Sequence, residues 1–455
     1  MPSPTDFDAQ IQAVAADPSR QGALALEQLY RRAKEAGQAD AFREAIARAL
    51  SLSEKSALLD AWGCRLDILP LKQAVPGAEA NQSSPTQLWS LAISLSVVLG
   101  MIWSLFSGGK PPLPAPEVAT PLFWLGWAPV TAVMILGFIG AAGRDPERRR
   151  VIVMACFVIL ALSFLSGWLV GGRKDSASIL AALHLPILAW MAVGVAATAQ
   201  FQDRPAQHIG FILKSAEALV ASGIFLAGAG MFGMLTLGIF NVLGVHFPES
   251  WISRCAALVL GTIPVLGIAS TIDPSRSPGG QDFSTGAARL MRLLTRLLLT
   301  PVLGVLAIYV LWFIPRYFWR PFEERAVLII YNASLAAVLL LVVLSVPHLN
   351  EEISAFWSKS LRRGIRAVCA LAMILNLYSL SAVVVRTMRY GLSPNRHATI
   401  GWNVVTLCIL ASITISQFRS PAADWKERFQ ASFARFLPLA ALWALWVLLA
   451  SPWIR

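Results

Sequence analysis

From Leu88 onward the chain alternates long apolar runs with short polar breaks, and eleven of the runs are long enough to cross a hydrocarbon layer of about 30 Å as helices. They cover residues 88–106, 121–142, 151–171, 178–199, 216–240, 252–271, 297–315, 326–346, 367–385, 398–416 and 434–452. Tryptophans gather near their ends, among them Trp89, Trp103, Trp168, Trp251, Trp312 and Trp402, where an amphipathic ring sits at headgroup level. Pro129, Pro186, Pro264 and Pro301 fall inside runs and mark candidate kinks. Before Leu88 the pattern is different. Residues 1–74 alternate apolar and charged positions at helical spacing, as Leu24, Leu26, Leu29 and Tyr30 do against Arg31, Arg32 and Lys34, with Gly37 placed to stop that helix. They predict a small soluble bundle of three or four helices, and residues 75–87 predict a linker. The expected architecture is all-α: a polytopic transmembrane helical bundle over 88–455 behind a small helical domain.

Composition settles the class. With 56% apolar and 14% charged residues over 455 positions, the chain lies outside the range of ordinary soluble domains. A formal net charge of +12 would point to nucleic acid in a soluble protein, but residues 1–74 hold ten acidic and nine basic side chains. The surplus lies among the spans, where it sets topology, and no nucleic-acid partner is expected. Alternate breaks collect the basic residues: Arg144, Arg148, Arg149 and Arg150; Arg289, Arg292 and Arg296; Lys359, Arg362, Arg363 and Arg366; Lys426, Arg428 and Arg435. That asymmetry places the amino terminus in the cytoplasm. Five cysteines, Cys64, Cys156, Cys255, Cys369 and Cys408, are scattered without metal-ligand spacing, so neither a metal nor another cofactor is expected.

The most informative break is the turn between the ninth and tenth runs. Gly391 can take the left-handed conformation that ends a helix, Ser393 suits the N-cap, and Pro394 loses no used donor at the first helical position. The order Arg-Tyr-Gly-Leu-Ser-Pro-Asn-Arg, residues 389–396, flanked by two spans, resembles the signature of a family of bacterial polytopic membrane proteins catalogued as domain of unknown function 4153. His397 stands where that pattern has an aromatic residue and Ser393 where it has threonine, and neither change alters the turn chemistry. The resemblance implies a bacterial inner (cytoplasmic) membrane protein and supplies no catalytic residue.

Three arginines surround this turn on what the charge asymmetry makes the outer face. Arg386 and Arg389 lie in the last turn of one helix and Arg396 in the first turn of the next, so the tight joint is expected to bring them together. Guanidinium forks and the free amides of a helix start then converge on one phosphate or carboxylate. The alternative is three arginines snorkelling to headgroups. Within the spans His184, Asn332, Asn376 and Asn403 either line a cavity or join helices by hydrogen bonds. His184, two residues before Pro186, reads as a proton sensor or as a neutral histidine bonded to a neighbouring helix. Glu217 is expected to pair with Lys214 or to snorkel.

Other motifs point away from chemistry. Gly228–Gly233 matches GxGxxG, but no strand precedes it, and Ala229 with Gly233 reads as a close helix-packing pair. Residues 314–325, rich in arginine and aromatic residues, suit an interfacial segment. No HExxH, Gly-x-Ser-x-Gly or P-loop is present; a lipid-modifying enzyme could use His348, Glu351 and Glu352, but the topology puts them on the cytoplasmic side in a basic amphipathic stretch with no convergent cluster, so an enzyme is not expected. The sequence supports transport or handling of an anionic or amphiphilic solute or lipid. The alternative is a membrane scaffold or sensor signalling through residues 1–74 to a cytoplasmic protein partner. Membrane lipids are partners on either reading.

Overall fold

The computed structural model describes residues 7, 10–11, 20–35, 38–52, 56–66, 68, 84–106, 121–141, 146–170, 175–201, 203–283, 286–347, 354–421 and 424–454. Gly37, Arg144, His348, Glu351 and Glu352 lie outside them. The described residues form helices and no strand. The chain divides into two compact units, 1–82 and 83–455.

The first unit contains α1 (Arg20–Glu35), α2 (Ala39–Leu52) and α3 (Ala57–Arg65). The helical spacing read from the sequence buries Leu26, Phe42, Ile46 and Leu59 completely or nearly so, while Leu24 turns out to solvent. Tyr30, Phe42 and Trp62 meet with ring centroids 5.4–5.7 Å apart, giving a core of few but large side chains. Arg65 lies 4.4 Å over the Trp62 ring and bonds the Glu27 carboxylate. That bond, then the one from Arg31, holds the Glu27 carboxyl below the ordinary glutamate range.

The second unit is a membrane bundle. Its long helices are α4 (Pro85–Phe106), α5 (Pro121–Ala141), α6 (Pro146–Val170), α7 (Ser176–Thr198), α8 (Arg204–Val242) and α9 (Glu249–Thr271). Then come α10 (Gly286–Ile308), the four-residue α11 (Arg320–Glu323), α12 (Arg325–Ser345), α13 (Ala355–Tyr390), α14 (Pro394–Arg419), α15 (Trp425–Ala434) and α16 (Leu437–Ala450). Among the described residues ten helical segments are long and apolar enough to span a membrane, and Gly126–Ala141 within α5 is a shorter apolar helix. These eleven elements correspond one for one to the eleven apolar runs. Helices run through all four internal prolines, and a π turn at Tyr309–Phe313 follows α10.

Several helices extend past their apolar runs, because their basic ends stay helical and find backbone acceptors. Arg148 reaches the carbonyl of Pro274 (3.0 Å), Arg296 that of Ser345 (3.3 Å), and Arg362 those of Gln417 and Ser420 (2.6 Å each). These contacts collect the basic clusters at one end of the bundle. Since α13 runs from Arg362 to Arg386, the turn after it lies at the opposite end.

Close packing through glycine occurs, but not where the sequence suggested. A Cβ at Gly228, Gly230 or Gly233 would meet nothing within 4 Å, and Ala229 is half-buried. The GxGxxG match lies inside a helix and is no nucleotide loop, and Gly233 marks no close helix approach. The close approach is between α4 and α9, where a Cβ on Gly261 would stand 2.7 Å from the Gly100 Cα. Lys214 and Glu217 do pair, at 2.7 Å, and both are buried rather than snorkelling.

Candidate functional site

Four helices, α7, α12, α13 and α14, surround a cavity of about 1020 Å³. Helical spacing explains its lining. On α13, Asn376, Val383, Arg386 and Tyr390 fall on one stripe, and on α14 the stripe is Asn395, Thr399, Trp402, Asn403 and Thr406. α7 contributes Ile179, Leu183 and His184, and α12 contributes Ile329 and Asn332. Its mouth, at Ser176, Arg386, Ser393 and Asn395, lies at the end of the bundle opposite the basic clusters. α7 and α12 flank it without packing closely on each other. Ile179, Leu183 and Ile329 are 58–59% exposed, so the cavity also opens sideways, toward what is lipid in a membrane.

The turn builds the mouth. Tyr390 ends α13, and Gly391 follows at φ +78° and ψ 172°, a positive-φ conformation that favours glycine but is extended in ψ, unlike the helical left-handed cap the sequence called for. The Ser393 hydroxyl then accepts from the Arg396 backbone N–H (3.4 Å) and from its Nε (3.0 Å), with Pro394 opening α14. Arg396 also donates from Nη1 to the Arg386 carbonyl (3.2 Å), so the joint does bring these two arginines together. Arg386 donates from its own Nη1 to the carbonyls of Glu323 (2.6 Å) and Phe322 (3.2 Å) at the end of α11. With the Tyr378 hydroxyl on the Phe318 carbonyl (2.6 Å), this pins residues 314–324 onto α13.

Arg386 and Arg396 are the only charged residues among the described lining, and the bonds just given leave guanidinium donors of both for a ligand. The nearest carboxylate in sequence, Asp175, caps α7 by accepting from the Ser178 amide (3.1 Å). Arg389 is not part of this arrangement. It is exposed at the end of α13 and does not line the cavity.

The four polar residues singled out inside the spans all line the same cavity, with different bonding. His184 is buried, with Nδ1 on the Leu180 carbonyl (2.8 Å) and Nε2 accepting from the Trp402 indole N–H (2.9 Å). An indole only donates, so this imidazole is neutral and joins α7 to α14. Trp402 is correspondingly no interfacial anchor. It lies two turns into α14 because that helix begins at Pro394, ahead of the apolar run. Asn332 donates to the Leu328 carbonyl (2.7 Å) and accepts from Asn403 (2.6 Å), joining α12 to α14. The Asn376 side chain makes no hydrogen bond to the described residues. His397 accepts from the Trp446 indole (3.2 Å) beside the Trp443 ring, holding α16 against the start of α14.

No family model, curated protein or solved structure matches the chain, so the site is read from its own geometry.

Proposed function

We propose that the protein handles or carries an anionic amphiphile, a lipid or lipid-like solute, whose charged head is held by Arg386 and Arg396. The observation that carries this is one cavity whose described lining holds two arginines and no carboxylate, with a laterally exposed flank of Ile179, Leu183 and Ile329 beside them. A phosphate or carboxylate satisfies the guanidinium donors at headgroup depth, and an attached chain covers the apolar flank. A small soluble anion would have no use for that flank. Arginines that merely snorkel would not need a cavity. In this reading the amino terminus is cytoplasmic, the mouth faces the outer side of a bacterial inner membrane, and the partners are membrane lipids.

Arg396 is the residue to test, since its guanidinium bonds only the turn itself, whereas Arg386 also holds α11. Native mass spectrometry of protein extracted from mixed phosphatidylglycerol and phosphatidylcholine should show retained phosphatidylglycerol in wild type, loss in Arg396→Gln, and intermediate retention in Arg396→Lys. Lysine keeps the charge without the planar fork. If Arg396→Gln retains as much anionic lipid as wild type, the reading fails. If lysine matches wild type, general headgroup attraction accounts for the binding.

The separate core of residues 7–68 supports a second reading, a sensor that reports cavity occupancy to a cytoplasmic protein. Removing residues 1–74 separates the two, because a carrier keeps its transport and a sensor loses its output.

A further inference from the structure

Asn376 is the polar group in the fold least accounted for by the chain itself. Its side chain is 0% exposed, lines the inner part of the cavity, and has no partner among the described residues for either Oδ1 or Nδ2. One turn along α13 the Ser379 hydroxyl is equally buried and equally unpartnered. On α14, Asn403 spends its Nδ2 on Asn332 Oδ1 (2.6 Å) and on the Thr399 carbonyl (2.8 Å), while its Oδ1, at a residue 2% exposed, has no partner. The orientation of that amide is fixed by the bonds it makes. The inner cavity therefore offers a free donor and acceptor from Asn376 and a free acceptor from Asn403. Buried groups of this kind persist where something other than the chain's own atoms completes them.

These amides are set back from the arginines. At 1.5 Å per residue, Arg386 lies about 15 Å along α13 from Asn376, and Arg396 about 10 Å along α14 from Asn403. The lining between includes Leu180, Leu183, Leu328 and Val383, and the hydroxyl of Thr399 there is spent on the Asn395 carbonyl (2.8 Å), so the intervening stretch is largely apolar. Resting on the reading of the mouth as an anion site, we infer that the ligand has two polar points: an anion at Arg386 and Arg396, and a neutral hydroxyl, carbonyl or amide about 10–15 Å further in, at Asn376 and Asn403. A second charge would find no counter-ion there among the described residues. A plain hydrocarbon chain would leave the amides dry and unpaired, and sites built to hydrogen-bond a polar group discriminate strongly against analogues that lack it.

The test uses the purified full chain in nanodiscs of phosphatidylcholine and two probe series, straight-chain fatty acids and their ω-hydroxy counterparts, with chains of eight to sixteen carbons. In wild type the hydroxy acid is expected to bind on the order of tenfold more tightly than its plain partner at an intermediate length, as one or two hydrogen bonds in a dry site supply, with the advantage fading at both ends of the series. Asn376→Leu should abolish the preference, and Arg396→Gln should weaken both series together. Equal binding of the two acids at every length in wild type, with Arg396→Gln still weakening both, overturns the two-point inference and leaves the anion site standing. Indifference of both series to Arg396→Gln sinks the anion site itself. The wild-type comparison decides the inference even if Asn376→Leu does not fold.

Discussion

A buried amide left unpaired costs on the order of 1–3 kcal/mol per group, and Asn376 carries two such groups. Asn376→Leu, similar in volume, is therefore expected to stabilise the ligand-free protein by roughly that amount, read as a higher thermal midpoint in detergent. A lower midpoint would show the amide to be satisfied in the free protein. At this scale the sequence showed which residues were unusual but not what they met. Polar side chains inside apolar runs can be picked out by inspection, so His184, Asn332, Asn376 and Asn403 were all legible, and all four line one cavity. Their bonding was not legible, because it depends on which helices lie side by side. Trp402 shows why: its partner is 218 positions away in sequence. Arg389 lies outside the cavity, exposed at the end of α13, and its spacing from Arg386 alone did not show that.

The turn between α13 and α14 was the element most legible in advance, because its chemistry is local. Gly391 has φ +78° and a Cβ there would touch nothing within 4 Å, so any cost of substitution is backbone strain rather than collision. Gly391→Val is expected to lose about 1–2 kcal/mol of stability, while Ser393→Thr keeps the cap and stays near wild type. Paired thermal melts in the same detergent check this, and equal midpoints would remove the helix-stop role of Gly391. What the sequence left out at this scale are the helix extensions and the fate of α8. Hydropathy ends a span where charge begins, yet Arg362 continues α13 by bonding carbonyls of α14 and the loop after it. Glycines in an apolar run read the same whether they touch a helix or a lipid tail. Close packing therefore had to be seen, at Gly100 and Gly261, rather than inferred from Gly228–Gly233.

For the whole molecule, the basic clusters bound at one end and the paired arginines at the other give the bundle two unlike faces. The asymmetry that sets orientation predicts a cytoplasmic amino terminus and an outer mouth. In intact expressing cells, a membrane-impermeant thiol reagent should label a cysteine placed at the exposed Leu392 and spare Cys64, each tested as the sole cysteine. The opposite pattern would invert the molecule and put the mouth in the cytoplasm. The central claim, that the cavity between α7, α12, α13 and α14 holds an anionic amphiphile, is tested most directly by a structure of the protein in nanodiscs of phosphatidylglycerol, beside one in phosphatidylcholine. The account predicts density for a headgroup within hydrogen-bond distance of Arg396, and for a chain along Ile179 and Leu183, in the first and not in the second. Headgroups ordered only on the outer surface, with the cavity holding water alone in both, would contradict it.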